Sequence, residues 1–174
     1  MRFILIDRIR ELYPDESITA VKSLARSEEY LDDHFPGLPV MPGVLTLEAI
    51  VQTSAWLIRH SEDFAHSVIV LKKAGNVRYR RIVAPGQTLT ITADIFRHGQ
   101  QETTLRVRGS INGQSAVTGR MVLRRYNLAD IDPRLREKDE QAVERQREQF
   151  ALLRGPEAVV GRTEDLPTVR RIAA

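Results

Sequence analysis

Residues 43–60 read GVLTLEAIVQTSAWLIRH, and this stretch decides the fold. Its apolar side chains recur at the three- and four-residue spacing of a helix, and an adjacent face is largely apolar too. The first face carries Val44, Leu47, Val51, Ala55 and Ile58, and the second carries Leu45, Ala49, Gln52 and Trp56. A helix that is apolar around most of its circumference is surrounded by protein. The sequence therefore predicts one long buried helix at the centre of a domain.

The residues on the N-terminal side of this helix predict a hairpin and a rigid loop. Residues 3–13 and 17–24 are rich in apolar side chains, and Pro14 separates them, which indicates two strands joined by a turn. Residues 28–31 predict a single helical turn. Residues 32–42 hold three prolines and one glycine, so they predict an ordered or extended loop.

Four runs rich in Val, Ile and Thr follow the helix, at residues 67–79, 88–97, 103–111 and 116–126. Alternating runs that are separated by turn residues indicate an antiparallel meander, and Asn112-Gly113 is the strongest short hairpin signal in the chain. One buried helix with about six strands predicts an α+β domain in which a curved antiparallel sheet wraps the helix.

The C-terminal part of the chain has a different character. Residues 129–154 are dense in charged and amide side chains and predict a helix, and residues 155–174 predict a flexible tail. The chain therefore divides into a domain at residues 1–126 and a charged extension at residues 127–174. The helix is either solvated, or it covers a subunit surface or binds a partner.

The composition excludes several classes of protein. The 174 residues include no cysteine, so disulfide scaffolds, thiolate zinc sites and cysteine nucleophiles are excluded, and a reducing cytoplasm is permitted. The longest weakly charged stretch is broken by prolines, and its unbroken part is too short to span a bilayer, so no membrane span is expected.

The formal charge of +3 combines unlike parts of the chain. Residues 66–126 hold 11 basic and 2 acidic residues, whereas residues 1–65 hold 6 basic and 11 acidic. The strand-rich half therefore offers either a docking face for an acidic partner or only a solvated sheet face. Aromatic residues make up 6% of the chain and no nucleic-acid recognition motif is present, so binding to nucleic acid is not expected.

The segment HFPGLPVMPGVLTLEA at residues 34–49 carries the candidate chemistry. His34 stands in the rigid loop, and a histidine near neutral pH is a proton acceptor. Glu48 stands in an otherwise uncharged helix, where burial favours the protonated form, a proton donor. The first amides of the helix, at Gly43 and Val44, can bind a carbonyl oxygen as it gains negative charge. Gln52, one turn beyond Glu48, is spaced to orient its carboxyl group.

These groups together suit removal of a proton next to a carbonyl with expulsion of a β-hydroxyl group. Structural interpretations stay open on the residues alone. A single loop histidine can be structural, a buried glutamate can pair with an arginine or a backbone amide, and prolines can simply stiffen a loop. The other histidines, His60, His66 and His98, show no metal-ligand spacing and are expected at the surface.

Residues 34–52 resemble the signature of the 3-hydroxyacyl-[acyl-carrier-protein] dehydratases of type II fatty acid synthesis. The family pattern HFPG-x-PVMPGV-L-x-x-EA-x-x-Q is matched at every defining position by HFPGLPVMPGVLTLEAIVQ. Weaker similarity extends to residues 3–8 and 73–87. The whole resemblance covers about residues 2–126, and the extension lies outside it.

The resemblance implies a hot-dog fold and homodimers, often assembled into trimers of dimers, with the histidine of one subunit and the glutamate of the other in each active site. It implies that His34 removes a proton from C2 of a (3R)-hydroxyacyl thioester and that Glu48 protonates the departing hydroxyl group. The thioester oxygen would bind at Gly43 and Val44, and a trans-2-enoyl thioester would form. No cofactor or metal is implied, because the acyl carrier protein brings its own phosphopantetheine. Glutamate rather than aspartate at position 48 favours dehydration without isomerisation.

Two further groups of residues are candidates on the same resemblance. The acyl tunnel candidates, which are otherwise plain core, are Phe35, Met41 and Trp56. The candidates for docking the acidic acyl carrier protein are Lys72, Lys73, Arg78, Arg80 and Arg81. Two alternative functions stay open, a hot-dog acyl thioesterase and a non-catalytic module that binds the acylated carrier.

Overall fold

A sheet of seven strands curves around a central helix in the computed structural model, which describes residues 4–35 and 37–161. The strands are β1 (Arg8–Tyr13), β2 (Ser17–Ser23), β3 (Val68–Tyr79), β4 (Thr88–His98), β5 (Glu102–Ile111), β6 (Gln114–Tyr126) and β7 (Val159–Val160). The helices are α1 (Tyr30–Asp33), α2 (Gly43–Ser61) and α3 (Arg136–Arg154), with 3-10 turns at Leu128–Asp130 and Pro133–Leu135. The strand order is β3-β6-β5-β4-β2-β1-β7.

The predicted α+β hot-dog arrangement is confirmed, with two differences at the ends of elements. Strand β1 begins at Arg8, later than predicted, and the short helix α1 lies two residues beyond the predicted turn. The hairpin signal at Asn112-Gly113 is confirmed, since both residues have positive φ, 51° and 76°. That pair of angles is typical of the two-residue turn that matches the twist of antiparallel strands.

The extension adds a strand that the sequence did not predict. Val159 and Val160 pair in parallel with Glu11 and Leu12 of β1, so the sheet is mixed rather than purely antiparallel. The prediction of a flexible tail is therefore wrong at these two residues. The part of that prediction from residue 162 onward lies outside the described residues.

Helix α2 lies on the concave face of the sheet and forms the centre of the core. Its buried residues are Thr46, Ala49, Ile50, Val51, Thr53, Ser54, Ala55, Trp56, Leu57 and Ile58. The buried hydroxyl groups of Thr53 and Ser54 donate to backbone carbonyls one turn earlier, each at 2.8 Å. These bonds remove the cost of burying an unpaired hydroxyl group. The two buried hydroxyl groups therefore add no unpaired polar group to the core.

Helix α3 packs back onto the domain. The Phe150 ring contacts the rings of Trp56, His60 and Phe64, with centroids 6.0, 4.9 and 5.6 Å away. The extension thus covers a surface of the domain, and the interpretation of α3 as a purely solvated helix is wrong. The division of the chain at residue 126 stays a prediction. None of the helices within residues 4–35 and 37–161 has the length and apolar character needed to cross a membrane.

The junction between α3 and the sheet depends on one buried carboxylate. Asp139 accepts hydrogen bonds from the amides of Leu128 and Ala129 at 2.9 and 2.8 Å, and from the hydroxyl group of Ser67. Its side chain therefore joins the first turn of α3 to the 3-10 turn at Leu128–Asp130 and to the residue that precedes β3.

Candidate active site

The start of α2 forms one side of the candidate site. The Pro42 carbonyl accepts hydrogen bonds from the amides of Leu45 and Thr46, both at 3.0 Å. The amides of Gly43 and Val44 come before these donors, and they have no backbone acceptor within the part of the chain that the structure describes. Val44 is 73% exposed. The two amides are therefore available to an oxygen atom on which negative charge develops.

Tyr79 fastens this helix start to the sheet. Its hydroxyl group donates to the Gly43 carbonyl at 2.9 Å, and its ring lies 3.5 Å from the position that a Cβ atom on Gly43 would take. Burial raises the pKa of Tyr79, so the hydroxyl group stays a donor. Tyr79 was not predicted, because it ends a strand 36 residues away and only the fold brings the two together.

Glu48 and Gln52 form a hydrogen-bonded pair on one face of α2. The Gln52 amide nitrogen donates to the Glu48 carboxylate at 2.9 Å, which is the contact that the i, i+4 spacing predicts. The Gln52 side-chain oxygen accepts the Leu5 amide at 2.9 Å. Because both ends of the Gln52 amide are engaged, the Glu48 carboxylate is held in one orientation.

The predicted burial of Glu48 is wrong for the single chain, in which Glu48 is exposed. Helix α2 packs its other faces against the sheet and α3. A stripe that begins at Gly43 and Val44 and includes Glu48 stays uncovered. A pattern of apolar residues does not distinguish this stripe from the rest of the helix.

His34 follows α1 in the loop that leads to α2. Its ring lies edge-on to the ring of Phe35, with centroids 4.3 Å apart. Phe35 has a φ of 55°, a left-handed conformation that a residue with a side chain rarely adopts. The Leu38 amide donates to the Phe35 carbonyl at 2.8 Å and closes the turn. Unusual backbone of this kind is concentrated at functional sites.

A cavity of about 310 Å³ opens beside Glu48. One wall comes from α2, with Glu48, Val51, Gln52, Ala55, Trp56 and Arg59, and the facing wall comes from α3, with Ala142, Arg145, Gln146 and Gln149. Ile4 and Ile69 complete the lining. His34 is not among the lining residues, so of the two predicted catalytic side chains only Glu48 borders this cavity within the described residues. The contribution of α3 was not predicted from its charged sequence.

The predicted tunnel residues separate in the structure. Trp56 lines the cavity beside Glu48, whereas Met41 is buried in the core and Phe35 is 60% exposed beside His34. The structure therefore places one of the three against the cavity that Glu48 lines.

The predicted docking residues fall into two groups. Arg80 and Arg81 line a cavity of about 550 Å³ that also includes Tyr79, so they lie close to the start of α2. Lys72 forms an ion pair with Glu102 at 2.5 Å. Lys73 and Arg78 line two other cavities, each of which includes Arg120.

The other histidines are structural rather than simple surface residues, which corrects the prediction. His66 and His98 both contact the carboxylate of Glu62, at 2.9 and 3.0 Å. His60 stacks on Phe150, and burial lowers the pKa of His60. Within residues 4–35 and 37–161, no three histidine, aspartate or glutamate side chains come together in a way that could hold a metal ion.

The FabA-like domain family model matches residues 1–124, which is most of the chain. This chain belongs to the FabA-like family. The match to the FabA-like model ends before the extension, so α3 and β7 are additions to the part that defines the family.

Curated relatives agree with this membership. The 3-hydroxyacyl-[acyl-carrier-protein] dehydratase FabZ of Janthinobacterium sp. (strain Marseille) is 32% identical over 133 residues, 75% of this chain and 85% of that protein. The enzyme of the same name from Wolbachia pipientis wMel is 40% identical over 93 residues, 53% of this chain. That match covers 65% of the Wolbachia protein, slightly less than two thirds of its length.

Solved structures share the fold of this FabA-like chain. The dehydratase heterocomplex ApeI:P from Xenorhabdus doucetiae has a TM-score of 0.62 at 18% identity, covering 76% of this chain and 90% of the other. A hypothetical thioesterase with coenzyme A from Streptococcus pneumoniae TIGR4 has a TM-score of 0.51 at 13% identity, covering 68% and 84%. At these identities the likeness shows the hot-dog fold alone.

Proposed function

We propose that this FabA-like protein dehydrates (3R)-hydroxyacyl-[acyl-carrier-protein] to trans-2-enoyl-[acyl-carrier-protein] in fatty acid or related lipid synthesis. The observation that carries the proposal is the Glu48–Gln52 pair, which lies one turn beyond the amides of Gly43 and Val44, two donors with no backbone acceptor among the described residues. A proton donor and an oxyanion site on one helix suit a reaction in which a hydroxyl group leaves as a carbonyl oxygen gains charge. The curated relatives are named for this reaction.

The proposed chemistry needs no cofactor beyond the phosphopantetheine of the carrier. A ring nitrogen of His34 takes a proton from C2, and the electron pair moves onto the thioester oxygen, which the amides of Gly43 and Val44 stabilise. The electrons then form the C2–C3 double bond as the C3–O bond breaks. The leaving hydroxyl group takes the proton of Glu48 and departs as water. Transfer of one proton from His34 to Glu48 restores the starting state.

We propose that each site is shared between two subunits of a homodimer, with His34 from one and Glu48 from the other. Two observations support this arrangement. The cavity that Glu48 lines does not include His34, and β3 forms one edge of the sheet. An edge strand offers unpaired backbone groups to a second chain. Further assembly into a trimer of dimers belongs to the same proposal.

The acidic carrier protein is proposed to dock beside Arg80 and Arg81. These two residues lie next to Tyr79, which contacts the start of α2, so a pantetheine arm entering there would reach the oxyanion site. Complementary charge would raise the rate of encounter between the two proteins. A cytoplasmic location is part of the proposal, on the basis of a carrier-bound substrate and a cysteine-free chain.

The test uses the purified full chain with 3-hydroxyacyl-carrier protein, and mass spectrometry follows the loss of water. We expect Glu48→Gln and His34→Ala each to lower kcat by about 100-fold to 10,000-fold, because each removes one general acid–base group. The matched control is Glu137→Gln on the exposed side of α3, which should keep wild-type activity. Full activity in both site variants, or no water lost at any chain length, would refute the proposal.

A mixture of the two inactive variants tests the shared site. If His34 and Glu48 come from different subunits, subunit exchange restores one intact site in each mixed dimer, and roughly a quarter of the wild-type activity returns. No recovery after confirmed exchange would show that each chain supplies both groups to its own site. The mass-spectrometric assay of the wild-type chain also distinguishes the two alternative functions. Release of the free acid would identify a thioesterase, and binding of the acylated carrier without turnover would identify a non-catalytic module.

A further inference from the structure

We propose that Arg59 and helix α3 form the far end of the acyl-binding cavity and select hydroxyacyl chains whose distal end carries a carboxylate. The proposal rests on the proposed function, because it assigns the substrate class of the same site. Its support comes from the order of chemical groups along the cavity and from the state of Arg59.

The cavity has a carboxylate at one end and cations at the other. Glu48 and Arg59 lie eleven positions apart on α2, so the helical rise of 1.5 Å per residue separates their backbones by about 16 Å. Val51, Ala55 and Ile69 line the cavity as well and offer apolar surface to methylene groups. A chain that reacts at Glu48 and extends along this surface therefore ends near Arg59.

Arg59 has no acidic partner among the described residues. Its Nε donates to the side-chain oxygen of Gln146 at 3.1 Å, and its guanidinium lies 5.0 Å from the centre of the Trp56 ring. No ion pair joins it to another side chain within residues 4–35 and 37–161. Burial lowers the pKa of Arg59 to about 10, so the group remains charged at neutral pH. A mostly buried cation without a counter-charge is costly, and a bound carboxylate would remove that cost.

Helix α3 holds Arg59 in a geometry suited to a carboxylate. The Gln146 amide nitrogen donates to the Ser67 carbonyl at 2.7 Å, so Gln146 is fixed between Arg59 and the start of β3. Gln146 occupies Nε of Arg59, and the two terminal nitrogens remain for a bidentate contact with two carboxylate oxygens. Arg145 and Gln149 add a second cation and a further amide at the same end.

A methyl-ended chain suits this end poorly. A terminal methyl group would displace water from the guanidinium and amide groups and would return no hydrogen bond to them. The polar end of the cavity therefore distinguishes acyl chains by the chemical group at their distal end as well as by their length. The family signature does not encode this, because Arg59 follows the signature and α3 lies outside the family match.

The experiment compares two 3-hydroxyacyl-carrier proteins of equal chain length, one ending in a methyl group and one in a carboxylate. We expect the wild-type full chain to give the higher kcat/KM with the carboxylate. Arg59→Met should lower that value by about tenfold to 100-fold, the worth of a charge-assisted hydrogen bond pair. It should raise the value for the methyl-ended substrate, because the guanidinium that this chain end would desolvate is no longer there. Arg145→Met, at an exposed position, should lower the value for the carboxylate-ended substrate less. The matched control is Arg147→Met on α3, since Arg147 pairs with Asp63 and does not line the cavity.

Two results would overturn the proposal. One is a wild-type preference for the methyl-ended chain, and the other is an unchanged ratio of the two kcat/KM values in both Arg59→Met and Arg145→Met. Thermal melting establishes that Arg59→Met is folded, and Arg145→Met decides the question if it is not. If neither substrate loses water, the proposed function fails. Calorimetric binding of the two carriers then tests the role of Arg59 separately, with tighter binding of the carboxylate expected.

Discussion

Helices α2 and α3 have the same length, 19 residues, but they are stabilised in different ways. Helix α2 is buried on most of its surface, and it has no acidic residue in its first turn and no side-chain cap. Helix α3 buries only Asp139, Phe150 and Leu153, and it places acidic residues in its first turn and Arg154 in its last. Acidic residues at the start of a helix and basic residues at its end interact favourably with the helix dipole and stabilise the helix.

The difference shows how this fold can keep the first amides of a helix unpaired without losing the helix. Packing stabilises α2 along its length, so the amides at its first residues can stay unpaired and serve a substrate. Helix α3 depends on its own charges and a few contacts, so it can be added at the edge of a finished domain. One helix therefore carries the residues of the proposed chemistry, and the other forms the facing wall of the cavity beside them.

The largest expected effect contrasts one leucine from each helix. Leu57 of α2 is 0% exposed and Leu152 of α3 is 82% exposed. Leu57→Ala should lower the free energy of unfolding by about 3–5 kcal/mol, through lost burial and a cavity in the core. Leu152→Ala, the matched control, should change it by less than about 0.5 kcal/mol. Equal losses in denaturant unfolding of the two variants would contradict the contrast.

A smaller effect is expected where the two helices meet. Phe150→Ala removes the ring that contacts Trp56, His60 and Phe64, so α3 should detach more readily while the sheet and α2 stay folded. We expect global stability to fall by only about 1–2 kcal/mol, because the change releases a peripheral unit. Limited proteolysis should cut within α3 sooner than in the wild type or in Leu152→Ala. Protection of α3 equal to that of the wild type would show that the aromatic cluster does not hold it.

The smallest effect concerns the charge of Asp139. Burial acts to raise the pKa of Asp139, but the hydrogen bonds from Ser67, Ala129 and Leu128 outweigh it and hold the pKa below its ordinary value of 3.8. A carboxylate with a lowered pKa contributes stability that is present above the ordinary value and is lost as the pH falls through the folded value. Asp139→Asn should therefore lower the free energy of unfolding by about 0.5–1 kcal/mol at neutral pH, and this loss should shrink below about pH 4.

Urea unfolding of both proteins between acidic and neutral pH measures this difference. Glu140→Gln, at an exposed position on the same helix, should show a small difference that does not change with pH. A constant deficit for Asp139→Asn across the range would show that shape rather than charge matters at this position.

Local patterns in the sequence predicted much of this structure. The bounds of α2, the turn at Asn112-Gly113 and the pairing of Glu48 with Gln52 all depend on residues close together in the chain. Spacing and turn geometry determine such features, so they can be predicted without the fold.

The features that were missed depend on residues far apart. Tyr79 meets Gly43 across 36 positions, and Arg59 meets Gln146 across 87. Strand β7 forms because two valines reach the edge of β1, which no local pattern indicates. The burial of Glu48 was mispredicted for a related reason, since an apolar helix gives no sign of which stripe its neighbours leave open.

The two edges of the sheet have a consequence for polymerisation. Strand β3 lies at one edge, and at the other β7 covers part of β1. A sheet with two open edges can add copies of itself without limit, as fibrous aggregates do. With the β1 edge partly covered, β3 is the long open edge among the described strands, and the proposed homodimer, if it pairs there, would leave neither chain with that edge open. In that dimer the extension would act as a chain terminator, which limits growth of the sheet to a closed pair.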